Sequence, residues 1–227
     1  MSGTPALELS GLSCGYGRVP VLRDVDLSVR RGEVVALLGA NGAGKTTLLL
    51  AVGGILRVSA GTVTMLGERL RGPAHRISSS GVRLVLDRNL FMRQTVLENL
   101  RVAGVDPERA FAIFPALSRL AKRRAGLLSG GEQKMLSLGR ALASDPTVML
   151  IDEVSLGLAP VVVAPLLEAI KRAADDGLSV LLVEQQVSRA LDVAARGYVL
   201  NQGRVVIHDS SEALQSNVDE ITKAYLA

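Results

Sequence analysis

Val34-Val-Ala-Leu-Leu38, Gly39-Ala-Asn41-Gly42-Ala43-Gly44-Lys45-Thr46 and Thr47-Leu-Leu-Leu-Ala51 follow one another without a break. The first run is short, apolar and β-branched at its start, as a buried strand requires. The second fits G-x-x-x-x-G-K-[ST], and the third opens an apolar helix. Glycines let the backbone turn so that several N–H groups converge on one phosphate. The helix N-terminus adds its partial positive charge. Lys45 has the reach for β- and γ-phosphates, and the Thr46 hydroxyl suits Mg²⁺. Gly39, Asn41, Gly42, Ala43, Gly44, Lys45, Thr46 and Thr47 therefore form a candidate nucleoside triphosphate site.

Outward from this loop, three more apolar runs are bounded by Gly, Asp or Asn: Val82 to Leu86, Val148 to Ile151 and Val180 to Val183. Continuous apolar strands of this length indicate a parallel sheet covered on both faces. Helical patterns cover Gly44 to Leu56, Ser129 to Ser144 and Val161 to Ala174, so strands and helices alternate as in an α/β fold. Leu7 to Arg30 alternates apolar and polar residues and reads as antiparallel strands. Tyr198 to Ile207 reads as a hairpin turning at Asn201-Gln-Gly203. Thr95 to Leu128 breaks the alternation and is expected to be helical. Val148-Met-Leu-Ile-Asp152-Glu153 ends a strand in two carboxylates, at the sheet edge where ligands of open α/β folds sit. Asp152 is placed to hold Mg²⁺, and Glu153 to polarise an attacking water.

The composition excludes other classes. Of 227 residues, 48% are hydrophobic and 21% charged, which is ordinary for a globular chain and too apolar for a disordered one. No apolar run approaches the roughly 20 residues of a membrane span, and no secretory signal opens the chain. One cysteine and two histidines exclude an internal disulfide and most Cys or His metal centres. Cys14 reads as a buried small apolar residue, His75 as a loop residue, and His208 as a surface or packing residue of the hairpin. Phe111 and Phe114 read as core. The net charge is +4, but the arginines are scattered and aromatics are few, so no nucleic-acid partner is expected.

Leu128-Ser129-Gly130-Gly131-Glu132-Gln133 precedes another helix. Ser129 is placed to cap it, and the glycines expose backbone N–H groups at its start. Between the phosphate loop and Asp152-Glu153, this hexapeptide resembles the signature of ATP-binding cassette (ABC) ATPases. The resemblance covers nearly the whole chain. It implies a P-loop NTPase core with a mixed sheet, flanking helices and N-terminal antiparallel strands. The core would take residues 1–86 and 145–227, and an inserted helical subdomain, 87–144, would carry the signature. Tyr16 looks like the aromatic that stacks on adenine, and Ser155-Leu-Gly-Leu158 like the loop after the catalytic glutamate. Ser155 to Pro160, Val183-Glu-Gln185, Ala125-Gly126, Arg196 to Leu200 and Pro73 to Ile77 resemble one ATPase of the branched-chain amino acid importers.

The resemblance implies a head-to-tail pair of cassettes binding ATP and Mg²⁺. Ser129, Gly130, Gly131 and Glu132 would close on ATP held by the partner. Two different cassettes are the expected pair, with a homodimer as the alternative. The other implied partners are integral-membrane permease subunits and an extracytoplasmic solute-binding protein. The expected location is the cytoplasmic face of a bacterial membrane. Asp87 takes the place of a glutamine, or of a glutamate in this subfamily, as a ligand of Mg²⁺ or its water. Gln185 replaces the switch histidine of most cassettes. Val154 stands for a proline, and Lys134 for a glutamine. An exporter or lipid transporter, a slowly hydrolysing regulatory cassette, and a soluble cassette acting on DNA or ribosomes are the alternatives.

Overall fold

The computed structural model describes residues 4–86, 89–218 and 221. The chain opens with a bulged antiparallel pair, β1 (Leu7–Tyr16) and β2 (Val19–Val29), and turns into β3 (Val34–Leu38). After the glycine-rich loop come α1 (Lys45–Val52), β4 (Val58–Met65), β5 (Glu68–Arg69), α2 (Ala74–Ser79) and β6 (Val82–Val85). Short helices α3 (Val96–Val102), α4 (Pro107–Ile113) and α5 (Ala116–Arg119) follow, then the longer α6 (Gly130–Leu142). The remainder alternates: β7 (Val148–Asp152), α7 (Pro160–Asp175), β8 (Ser179–Val183), α8 (Val187–Leu191), β9 (Arg196–Asn201), β10 (Arg204–Ser210) and α9 (Ser211–Ser216).

Among the described residues the strands form two sheets. One is antiparallel, in the order β2-β1-β4-β5; the other runs β10-β9-β3-β8-β7-β6, parallel except for its β9–β10 hairpin. Side chains of a strand alternate between faces, and here both faces are dry. Val34, Ala36 and Leu38 pack into one apolar cluster with Met149, Ile151, Val180 and Leu182, against α6 and α7. Val35 and Leu37 enter a second cluster with Val148, Leu150, Leu181 and Val183, against α1 and the antiparallel sheet. Burying each such aliphatic side chain contributes about 1.5–3 kcal/mol. That double burial is why the strands read as unbroken apolar runs.

The parallel strands and the two hairpins match the sequence expectations, and Cys14 and Phe114 are buried, with Phe111 packed partly against the core. Three local differences have physical causes. Helix α1 stops at Val52 rather than Leu56, because Gly53 and a left-handed Gly54 (φ 71°) end it. His75 lies in α2 rather than a loop, in a helix that begins after Pro73. Thr95 to Leu128 is helical but broken: Thr95 bridges Arg124, and Ala125–Leu127 is a single 3₁₀ turn. No described helix is long and apolar enough to cross a membrane.

Candidate functional site

Three adjacent parallel strands end together. In register, Leu37 of β3 lies beside Val183 of β8, and Val183 beside Asp152 of β7. The chain leaving β3 is the glycine-rich loop. Gly39, Gly42 and Gly44 have φ of 157°, 84° and 109°. A side chain on Gly39 would strike the Leu200 carbonyl, and one on Gly44 would come within 2.8 Å of Leu22 Cδ2. Glycine is thus required by the backbone angle at all three positions and by close packing against a carbonyl at Gly39. The β9–β10 turn braces the loop from behind: the Gly203 N–H donates to the Ala43 carbonyl (2.9 Å), and the Gly203 carbonyl accepts from the Arg23 N–H (2.8 Å). Helix α1 begins at Gly44 with no side chain capping its first turn, which leaves N–H groups for an anion.

Lys45 is only 6% exposed. Its ammonium donates to the carbonyls of Gly39 (2.7 Å) and Ala40 (3.0 Å). Burial pulls it below the ordinary lysine value, opposed by the charges of Glu153 and Asp152. Thr46, next along, donates its hydroxyl to Asp152 Oδ2 at 2.9 Å. Asp152 Oδ1 is buried with no hydrogen-bond partner. Burial raises the Asp152 carboxyl above its usual range; the Thr46 bond opposes this and the Glu153 charge adds to it. A buried carboxylate oxygen left without a donor is expensive, and a cation is the partner that would satisfy it. Thr46 and Asp152 supply hard oxygens of the kind Mg²⁺ takes alongside substrate phosphates. Among the described residues no cluster of three His, Cys, Asp or Glu side chains forms a self-contained metal site. The residues present therefore fit a metal shared with a nucleotide.

Glu153 turns off the end of β7 in the left-handed region, at φ 47°. Its N–H donates to the Val183 carbonyl at 3.0 Å. Its Oε1 accepts from Gln185 Nε2 at 2.7 Å, and the same amide donates to Asn41 Oδ1 at 2.9 Å. Thus Asn41 of the loop, Gln185 after β8 and Glu153 after β7 form one bonded chain across the strand ends.

Other expected site residues stand apart from this cluster. Ser129 and Glu132 bond to each other: the Glu132 N–H donates to Ser129 Oγ (3.3 Å), and the Ser129 N–H to Glu132 Oε2 (2.7 Å). This capping box starts α6. Gly130 is exposed and Gly131 buried, and a side chain on Gly131 would strike Val162 of α7. Tyr16 closes β1 opposite Val19 and is 52% exposed. Thr47 is buried within α1. Asp87 lies outside the described residues.

Several contacts have no sequence motif of their own. Lys134 of α6 donates to the Glu153 carbonyl at 2.7 Å. Glu184, almost fully buried, accepts both the N–H (2.9 Å) and the hydroxyl (2.6 Å) of Ser155. The Gly203 brace is a third case. A charged residue at the end of an apolar strand was the available signal for Glu184; the other two contacts join segments far apart in sequence.

A family model described as ABC transporter matches residues 22–155. The chain is 41% identical to the high-affinity branched-chain amino acid transport ATP-binding protein BraG of Pseudomonas aeruginosa, over 97% of this chain and 99% of that one. It is 36% identical to a probable branched-chain amino acid transport ATP-binding protein, LivF, of Archaeoglobus fulgidus, over 89% and 91%. Its fold superposes on a nucleotide-free ATP-binding cassette from an ABC transporter with TM-score 0.89, at 24% identity, covering 98% of this chain and 99% of that one. With the phosphate loop, the acidic strand end and the capped signature helix in place, the chain belongs to the ABC transporter family as one of its ATP-binding, ATP-hydrolysing cassettes.

Proposed function

We propose that this cassette drives import of branched-chain amino acids, or of related small amino acids and amides, through a separate membrane permease. The observation that carries the motor chemistry is the Thr46–Asp152 hydrogen bond beside the partnerless Asp152 Oδ1. The solute is argued from the names of the relatives and from near-complete coverage of both chains.

In this reading the loop N–H groups and Lys45 bind the phosphates. Lys45 would exchange its two carbonyl partners for phosphate oxygens, and Thr46 and Asp152 are the residues that would hold Mg²⁺. The bound Mg²⁺ would neutralise charge on the β- and γ-phosphates. Glu153 orients the attacking water and takes its proton. Gln185 holds the Glu153 carboxylate against Asn41 and, being a neutral amide, contributes hydrogen bonds but no proton transfer at neutral pH. Tyr16 stacks on the adenine. Ser129, Gly130, Gly131 and Glu132 serve the ATP of a second cassette, paired head to tail, so that closure of the pair completes each site. Asp87 is assigned to Mg²⁺ or its water by the resemblance alone. Residues 1–86 and 145–227 act as the nucleotide core and 87–144 as the helical subdomain facing the permease. The pair works at the cytoplasmic face of the membrane, with an extracytoplasmic solute-binding protein as a further partner.

The test has two parts. Mg²⁺-dependent hydrolysis should vanish in Lys45→Ala and nearly vanish in Glu153→Gln; wild-type rates in either would sink the assignment. Affinity capture from gently solubilised native membranes, read by mass spectrometry, should recover a many-span permease and a second cassette. Recovery of ribosomal or DNA-bound proteins alone would overturn transport as the purpose.

A further inference from the structure

Glu153 is a non-glycine residue at φ 47°, a conformation that side-chain sterics disfavour. Such a backbone persists only where the surroundings over-determine it. Here two bonds clamp it. On one side the Glu153 N–H donates to Val183 of β8 at 3.0 Å. On the other the Glu153 carbonyl accepts from Lys134 Nζ at 2.7 Å. The second clamp comes from a different layer of the molecule. Lys134 lies on α6, five residues after Ser129, which caps that helix through its bond with Glu132. Gly131, at the start of the same helix, is packed too tightly against Val162 of α7 to accept a side chain. The ammonium thus bridges the signature helix and the backbone from which the Glu153 carboxylate projects.

We propose that Lys134 is a positioning residue for hydrolysis: by holding the Glu153 carbonyl it makes the aim of the Glu153 carboxylate depend on where the signature helix sits. The idea rests on the ATPase reading of the site. Gln185 restrains the carboxylate from its far end, at 2.7 Å, so losing the Lys134 clamp leaves the carboxylate tethered while its backbone keeps the Val183 bond and loses the hold on its carbonyl. Substrate binding through the loop and Lys45 does not pass through this clamp, and the Lys134 charge is the least of the influences on the Asp152 carboxylate. Its loss should therefore slow turnover and spare ATP affinity.

The experiment is steady-state MgATP hydrolysis by the cassette pair assembled with its permease, carrying the full wild-type chain or its variants. Lys134→Met keeps the stem and removes the donor. It should lower kcat roughly 10- to 100-fold, the scale of a catalytic group displaced by about 1 Å, with KM within about twofold of wild type. Lys134→Arg restores a donor and should recover kcat to within about threefold. In a Glu153→Gln background Lys134→Met should change the residual single-turnover rate by less than about twofold, because the carboxylate it positions is gone. Wild-type kcat in Lys134→Met, a KM rise matching the kcat loss, or the same fold loss in the Glu153→Gln background would each overturn the assignment. If Lys134→Met does not fold, Lys134→Leu, which also lacks a donor, is judged by the same kcat and KM criteria. A wild-type assembly without hydrolysis overturns the ATPase reading and this assignment together. Active wild type with an indifferent Lys134→Met overturns this assignment alone.

Discussion

Replacing Arg196 with methionine should strip the chain of a large part of its stability. Arg196 opens β9, where its side chain is 11% exposed and pairs with Glu33, 9% exposed, at 2.7 Å. It also donates to Tyr198 Oη (2.7 Å) and to the Ser28 carbonyl (2.7 Å), tying the parallel sheet to β2. The Glu33 carboxylate accepts in addition from the Arg30 N–H at 2.8 Å. Removing one partner of a buried ion pair costs about 3–5 kcal/mol, because the other charge stays buried. For a chain of this size, at about 2–4 °C per kcal/mol, Tm should fall by roughly 6–20 °C. Replacing Glu33 with methionine as well removes the orphaned charge, so the double variant should be more stable than Arg196→Met. Acid titration gives a second reading. Burial tends to raise the Glu33 carboxyl, but the hydrogen bonds from Arg196 and Arg30 and their charges outweigh it, leaving the group below the ordinary 4.5. A carboxylate lowered by folding stabilises above its unfolded pKa, and that stability drains as pH falls through the folded value. Arg196→Met should lose this acid-limb contribution. Thermal and urea unfolding followed by circular dichroism between pH 3 and 7 measures both effects. A Tm loss under about 2 °C, or a double variant that costs the sum of the two singles, would refute the reasoning.

Three further outcomes are expected. Asp152→Asn keeps an acceptor for Thr46 and removes the uncompensated charge, so in the absence of nucleotide it should be more stable by about 0.5–2 kcal/mol while losing Mg²⁺-dependent hydrolysis; calorimetry paired with a phosphate-release assay checks both. Gly131→Ala should cost about 1–3 kcal/mol by pressing on Val162, and adding Val162→Ala should return most of it in thermal unfolding. His208 stacks on Tyr198 with ring centroids 4.1 Å apart, and burial, then the Arg196 charge, lowers it below the ordinary 6.5. The unfolded chain therefore binds a proton that the folded chain refuses, so stability should decline as pH drops below about 6.5. His208→Phe keeps the stack and should flatten that decline in urea midpoints measured from pH 7 to 5.

The legible part of the fold was the part whose physics is local. Val34–Leu38 and Val148–Asp152 advertise themselves because both faces of each strand are dry, so no polar residue interrupts the run. Thr46 and Asp152 were each visible in a motif, and their bond spans 106 residues. Only the sheet order, with β8 between β3 and β7, turns two motifs into one site. What the sequence did not show depends on such crossings. Nothing in the sequence pairs Glu33 with Arg196, because 163 residues separate them. Gly203 read as a turn residue, and the reason no side chain fits there, the Val21 carbonyl, belongs to β2. The helix begun at Gly44 was drawn too long because its apolar pattern continues past Gly53-Gly54, where backbone freedom rather than hydrophobicity decides the end.

The strand ends bring together a buried lysine, a carboxylate oxygen without a donor, and a glutamate at positive φ. Each is unfavourable in the chain alone, and under the proposed function each would become useful when a triphosphate and a cation arrive. In that reading the ammonium would meet oxygens more anionic than carbonyls, the bare oxygen a metal, and the turned glutamate an attacking water. Tolerating them requires stability held elsewhere, and the structure shows where: in a sheet dry on both faces, and in the Glu33–Arg196–Tyr198 network that joins that sheet to β2. Glu184 and Gln185 stand at the boundary. The first is buried and spends its carboxylate on the Ser155 backbone and hydroxyl, while the second, one residue on, reaches Glu153 and Asn41. A single step along the chain at the end of β8 therefore passes from a residue that fixes the loop after Glu153 to one that holds the Glu153 carboxylate itself.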